Sequence, residues 1–571
     1  MVSERTGSLV LVGVALAYAV LTLWHAPWWT VDDAYILFRY ARNWYKTGLP
    51  VWNPGEPPVE GYTGTLYVAL LSAGQVLGAP LEVLAKLIGL SSYAATGLFL
   101  FLLLRRLGVR PLLCAATLML YFTAAFLFVH ALSGLETSLF MALLTASVWL
   151  TVRTLQVPHP RFAPAVATFG ALLGTALVRP EGTLFALVLG LVLFLRPSAG
   201  SSAFRFHPSG MLLLAGAVVF LLPLAGVTAW RWHTYGELLP NTYFAKQSPG
   251  FGWTALLSFL EFALSYWAIP ALVALLAGVA EWERWGESLR VRYRDLFPVG
   301  LALAGSCGVL LVEYSRSTLQ MNYAHRFWTM LYPLGLSLAA MAADTAFRAL
   351  EVTAGERPLR FRRIRQLAIG LFVLQLAVHG GLWRWSERKF LRDYRQLLRD
   401  EHAAAASFLC HHLPPNAWIV VYPDAGLIPF ATGLRTVDGG RLNDHFLARH
   451  HWSGTPRDSL IIGYIFAHSP AAFVFKSRRD DRLLLNAEAE AIVRDPRFAP
   501  YTLAASFRTS ARRFAESYFL LVYLRRDLLP QATATLEPGT TGVAVRRDGL
   551  PSQQDRHLQQ SSRCGDSAGT R

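Results

Sequence analysis

Apolar positions in this chain run in long unbroken blocks rather than alternating or recurring every three or four residues, and the polar positions gather in the connections between them. Blocks fall at about 7–27, 85–104, 112–130, 138–152, 163–178, 183–195, 210–229, 255–279, 297–312, 327–345 and 367–383. A hydrocarbon core of about 30 Å needs roughly 20 helical residues at about 1.5 Å each. The pattern therefore predicts eleven spanning helices. A further block, Gly64 to Pro80, is placed along or dipping into the outer face. Counting it as a span would put Arg105, Arg106 and Arg110 outside and invert every later connection, against the tendency of basic loops to stay inside.

With that placement the basic connections 105–111, 153–161, 196–207, 281–295 and 346–366 share one side. The last alone carries Arg348, Arg357, Arg360, Arg362, Arg363 and Arg365. The first block has no small-residue cleavage site before His25-Ala26-Pro27 and reads as an uncleaved anchor. An inside N-terminus and an odd number of spans then put everything after Leu382 outside. The outer face receives the loop 28–84, the Ser133–Thr137 turn (SGLET), the Arg179–Gly182 turn (RPEG), 230–254, Glu313 to Arg326 and the C-terminal region. Three regions are expected: a transmembrane domain over residues 1–383, an extracytoplasmic α/β domain over 384–530 and a disordered tail over 531–571. In the second, 384–412 is helical in pattern, Trp418–Tyr422, Ala471–Phe475 and Tyr518–Tyr523 read as strands, and 480–494 reads as helix. The tail is rich in Gly, Ser, Thr and Gln with few aromatics.

Composition agrees: 53% of the 571 residues are hydrophobic and the mean hydropathy is +0.35. The formal charge of +16 sits in short loops where it sets topology, so it gives no case for nucleic acid. Cys114 and Cys307 lie in apolar blocks; Cys410 and Cys564 lie outside them with no framework spacing. No GxxxxGK[ST] loop, HExxH, CxxC pair or GxSxG elbow occurs, which removes support for ATP drive, zinc hydrolysis, dithiol exchange and serine hydrolysis. The histidines, His411-His412 and His450-His451 among them, have no third ligand and read as surface residues.

The polar residues that topology does not explain are the candidates for chemistry. Trp28 to Thr63 opens with Asp32-Asp33, and a carboxylate at a membrane edge suits the base that a hydroxyl nucleophile requires. The pair also suits the first turn of a helix beginning at Ala34. Arg179, Arg231, Lys246, His325 and Arg326 offer cations to a departing phosphate. Glu181 and Glu136 offer Arg179 an ion pair instead. Glu60, Tyr62, Glu136, Glu181, Asp424, Asp438 and Asp444 are the candidates for sugar or acceptor contacts, with turn chemistry as the alternative for the last three. Trp28, Trp29, Trp44 and Trp52 suit either sugar stacking or an interfacial aromatic belt. A divalent cation (Mg, Mn or Ca) would fall to Asp32 and Asp33.

The stretch DDAYILFRYARNWYKTGLPVWNPGEPPVEGYTGTLY, with SGLET, VRPEG, LLPNTYFAK (Leu238 to Lys246), HRF (His325 to Phe327) and DAGLIPFATGLRTVDGGRLNDHFLAR (Asp424 to Arg449), resembles bacterial GT-C fold glycosyltransferases that use polyprenyl-phosphate sugars. Its closest resemblance is to the mycobacterial terminal β-(1→2)-arabinofuranosyltransferase group. Residues 438–444 depart from that group's D-x-x-G-L-x-D pattern. The resemblance covers roughly residues 10 to 450. It implies a GT-C-like fold of about 11 transmembrane helices in a bacterial cytoplasmic membrane. It also implies transfer of a sugar, arabinofuranose in the closest group, from a polyprenyl-phosphate donor to a cell-envelope glycan or glycolipid. A lipid-glycan flippase or secondary transporter, and a GT-C enzyme with a protein acceptor, are the alternatives.

Overall fold

A computed structural model describes residues 4–157, 161–197, 204–206, 209–246, 252–317, 319, 321–455, 458–514 and 518–529. The expected tail at 531–571 lies outside the described residues. Among them, seven helices are long and apolar enough to cross a membrane, nine with two bent pairs counted as single spans. The chain is a multi-pass membrane protein. The expected spans 163–178 and 183–195 are helical but short, Phe162–Val178 with 17 residues and Pro180–Val192 with 13. The block after the first loop forms a short helix, Thr65–Gly74, ending in a 3₁₀ turn at Gln75–Leu77.

Two spans read as continuous are broken. Pro111–Thr123 and Ala125–Leu132 meet at 56°, and Thr254–Tyr266 and Ala268–Val279 at 63°. Pro270 explains the second bend, since its ring clashes with the carbonyl four residues back, that of Tyr266. At the first, Ala124 is extended and the Thr123 hydroxyl bonds back to the Met119 carbonyl at 2.7 Å, a bond that competes with the helix ladder. The last span does not stop at Leu382. It runs from Pro358 to His412, with π-helical turns at Trp383–Glu387 and Leu398–Ala403, straight into the C-terminal region.

The bundle has two chemically distinct poles. At one, the fully buried Asp344 takes Arg110 at 2.9 Å and Arg292 at 3.0 Å from two other connections, and Arg348 at 2.8 Å from the next turn of its own helix, Tyr332–Val352. At the other lie the first loop and the C-terminal region. Two short strands, β1 (Leu195–Pro197) and β2 (Phe204–Phe206), pair antiparallel.

The C-terminal sheet comprises β3 (Trp418–Tyr422), β4 (Arg435–Asp438), β5 (Ala472–Ser477), β6 (Tyr501–Arg508) and β7 (Phe519–Arg525), in the order β4-β3-β5-β7-β6. The β3/β4 and β3/β5 pairs are parallel, and β5/β7 and β6/β7 antiparallel. Strand alternation sends Val420, Phe473 and Phe475 to one face, where Ile461, Ile492 and Phe498 cover them. It sends Ile419, Val421 and Val474 to the other, into a core shared with Tyr35, Phe38, Leu391 and Leu409. The sheet domain and the first loop are therefore packed as one body.

Candidate active site

The site begins with the helix Asp32–Thr47, which starts two residues earlier than Ala34. Val31 is its N-cap, and both aspartates sit in its first turn. The two carboxylates have different surroundings. Asp32 is 4% exposed and accepts the backbone N–H groups of Gly426 at 2.9 Å and Leu427 at 2.8 Å. Those donors open the short helix Leu427–Thr432 of the C-terminal domain, whose unpaired N–H groups attract a carboxylate. The Asp33 side chain is 28% exposed, with the Arg326 guanidinium 3.9 Å away. Burial raises the pKa of both. Asp424 and Asp33 add to the rise at Asp32, while at Asp33 Arg326 and Lys246 oppose it.

Behind Asp33 stands a charge network drawn from four separate turns. Glu136 accepts from Arg179 at 3.0 Å and from Arg326 at 3.3 Å. Arg179, extended between two apolar helices, also reaches Glu181 at 2.8 Å, and the Tyr314 hydroxyl donates to Glu181 at 2.6 Å. Arg179 is thus an ion-paired anchor with both carboxylates expected of it. Lys246 has no ion pair among the described residues, and burial with the Arg326 charge lowers its pKa. It follows the short helix Asn241–Ala245. Asn241 positions that helix: its N–H donates to the Glu60 carbonyl at 2.9 Å, and its side-chain amide to the carbonyls of Arg441, Leu442 and Asp444.

The remaining candidates divide by surroundings. Arg231 holds Glu60 at 2.6 Å and Thr65 at 3.3 Å. The other Glu60 oxygen is buried without a partner, and burial pushes the Glu60 carboxyl up to about 7 against the pull of Arg231. Tyr62 is 1% exposed, packed on Tyr40 and bonded to the Tyr235 hydroxyl at 3.1 Å, so its ring does not face a ligand. His325 has φ 56° and lies against Phe262 and Tyr266, ring centroids 5.6 and 5.8 Å away; it turns to an aromatic bed while Arg326 turns to Glu136. Asp424 receives the Tyr518 hydroxyl and stays within electrostatic reach of both aspartates.

Asp438 and Asp444 engage the chain itself. Asp438 accepts from Gly440 and from both nitrogens of Asn443. Asp444 caps the helix His445–Arg449 through Leu447 and takes the Tyr464 hydroxyl. These carboxylates build the loop that grips Asn241 rather than facing an acceptor. Trp29 is buried among Tyr323, Phe390 and Tyr394, and Trp44 stacks on Trp230. Trp28 remains 46% exposed.

The donor set does not suit a divalent cation. Both Asp32 oxygens are occupied by N–H groups, Asp33 faces Arg326 and Lys246, and no group of three or more His, Cys, Asp or Glu residues able to hold a metal gathers among the described residues.

Two residues beyond the expected candidates hold the site together. Arg39, 1% exposed, donates to the carbonyls of Trp52, Pro429 and Leu434 and to Asn53 Oδ1, and lies 4.5 Å from the Trp52 ring centroid. It follows Asp32 by seven residues and so shares its helix face, a spacing legible in the sequence. Lys86, also 1% exposed, donates to the carbonyls of Trp29 and Leu132 and to the Thr30 hydroxyl. Only its position at the very start of an apolar block marks it.

Residues 389–523 match the model of a domain of unknown function, DUF8728. No curated protein matches the chain by sequence. Among solved structures the chain is similar to ArnT from Cupriavidus metallidurans bound to undecaprenyl phosphate, with a TM-score of 0.52 and 14% identity over 90% of this chain and 97% of that one. The apo form of ArnT gives 0.52 and 14% over 92% and 99%. The archaeal oligosaccharyltransferase AglB from Archaeoglobus fulgidus, in complex with an inhibitory peptide and a dolichol-phosphate, gives 0.48 and 12% over 82% and 69%. The likeness to ArnT extends over nearly the whole of both chains and shows the expected GT-C-like fold.

Proposed function

We propose that this chain is a membrane glycosyltransferase that moves a sugar from a polyprenyl-phosphate donor to a cell-envelope glycan or glycolipid on the outer side of a bacterial cytoplasmic membrane. The observation that carries the reading is the division of the aspartate pair: Asp32 is clasped by two backbone N–H groups, while Asp33 stays partly open beside Arg326 and Lys246. Asp33 takes the proton of the acceptor hydroxyl as that oxygen bonds to the anomeric carbon. The bond from that carbon to the lipid phosphate breaks, and its electron pair leaves with the phosphate. Lys246 and Arg326 meet the charge that develops there. Glu136 and Glu181 orient Arg179, which with Arg326 frames the cationic wall. The fold likeness to ArnT, solved with undecaprenyl phosphate, supports the donor class, and the sequence resemblance supports arabinofuranose as the sugar.

The test is transfer from polyprenyl-phosphate-linked arabinofuranose to an envelope glycan by purified protein in nanodiscs. Asp33→Asn is expected to lower the rate by about 10²–10⁴ at unchanged expression and melting temperature. Full retention of transfer by that variant would remove Asp33 as base and the mechanism with it.

A further inference from the structure

The pole opposite the site carries two arginine clusters whose charge balance differs. In the first, Arg110, Arg292 and Arg348 converge on the buried Asp344, and Arg110 also reaches Glu351, so these cations are all engaged, Arg110 and Arg292 tying two connections to the Asp344 helix. In the second, the first turns of the helix Pro358–Leu382 meet the end of Ala268–Val279 and leave a groove of about 700 Å³, within the roughly 300–1,000 Å³ of small-molecule sites. Arg357, Arg360 and Arg363 line it, with Glu356 its one carboxylate. Arg360 is engaged, 3.7 Å from Glu281 and donating to the Ala280 carbonyl at 2.8 Å. The side chains of Arg357 and Arg363 have neither a hydrogen bond nor an ion pair among the described residues, although both line a concave surface.

The other walls are apolar: Leu276, Val279, Leu359 and Ile364. Val279 is 58% exposed and Leu359 69%. The apolar surface continues away from the arginines. Leu272 and Leu275 share the helix face of Val279, and Leu367 and Leu374 that of Arg360 and Ile364, all by spacings of three, four or seven residues. All four leucines are exposed. Unpaired guanidinium groups thus stand at the head of an apolar track along two helices read as crossing the bilayer.

We propose that this groove binds one anionic phospholipid, its phosphate held by Arg357 and Arg363 and its acyl chains lying along Leu272, Leu275, Leu367 and Leu374. Guanidinium pairs recognise phosphate through charge-assisted bonds, and basic pockets between helices at a membrane face suit acidic headgroups. The occupant is a lipid rather than a free anion because the walls beside the cations are hydrocarbon and stay exposed without one. The site is separate from the donor site and independent of the transferase reading.

Native mass spectrometry of the full chain, released from nanodiscs of phosphatidylcholine with and without phosphatidylglycerol, tests it. The wild type is expected to retain one phosphatidylglycerol in preference to phosphatidylcholine. Arg357→Gln/Arg363→Gln is expected to weaken that retention about 30-fold, at about 1 kcal/mol for each arginine. Arg362→Gln/Arg365→Gln removes the same charge just outside the groove and is expected to leave retention intact. Equal loss in the two double variants, or no headgroup preference in the wild type, would reduce the site to diffuse surface charge and overturn the proposal. Displacement of the lipid by millimolar-range inorganic phosphate would likewise overturn it in favour of a free-anion site.

Discussion

Two adjacent, chemically identical carboxylates end up in different surroundings because a helix turns by about 100° per residue. Asp32 faces the C-terminal domain, on the stripe that also bears Arg39. Asp33 faces the network of Glu136 and Arg326. The pair was legible as a pair; which member is free was not, because the partner of Asp32 is the backbone of Gly426 and Leu427, almost four hundred residues away. Asp32→Ala leaves those two buried N–H groups unpaired, at about 1–3 kcal/mol each. Its melting temperature in detergent is expected to fall clearly below that of the wild type, whereas Asp33→Asn is expected to melt with the wild type. If Asp32→Ala melts normally and Asp33→Asn does not, the two roles exchange.

At the scale of elements, the sequence marks helices well where composition is uniformly apolar and poorly where geometry is set by a distant contact. Long apolar blocks announce Leu81–Arg106 and Thr137–Leu155 directly. β4 (RTVD) carries too few apolar residues to read as a strand, and becomes one because β3 lies parallel to it and Asn53 pairs with Thr436 along its outer edge. The unbroken helix from Pro358 to His412 crosses from apolar to Arg-rich composition without a stop signal, so composition shifts where structure does not. Gly426 shows a second kind of hidden constraint. A Cβ there would collide with the Asp32 backbone and carboxylate oxygens, so glycine is required by close approach rather than by its backbone angles. Gly426→Ala is expected to push the Leu427–Thr432 helix off Asp32. Limited proteolysis should then cut between residues 412 and 427 faster than in the wild type, with transfer reduced in step. An unchanged cleavage pattern would show that the clasp tolerates a shift and that the two domains are held mainly by Arg39 and the shared apolar core.

Across the whole molecule, the site is a convergence of buried charge held between bundle and sheet, and this makes activity and stability respond to pH in opposite senses. The proposed base, Asp33, works deprotonated, and burial raises its pKa, so on that proposal the rate rises with pH along a limb displaced above the ordinary carboxylate range of about 4. Glu60 is also raised, from 4.5 to about 7, but it is a structural group under the loop that positions Asn241. A carboxyl whose folded pKa exceeds its unfolded one binds its proton more tightly when folded. Its stabilising contribution is full below the unfolded value and is lost as pH rises through about 7. The shift corresponds to a loss on the order of 3 kcal/mol. One preparation, assayed for transfer and for melting temperature between about pH 5 and about pH 9, should show the rate climbing while the melting temperature falls. Glu60→Gln should flatten the fall in melting temperature and leave the climbing limb of the rate in place, since the proposed base is Asp33. If that variant instead flattened the rate limb, the titrating group behind activity would be Glu60, and the base would have to be sought beside Arg231 rather than beside Arg326.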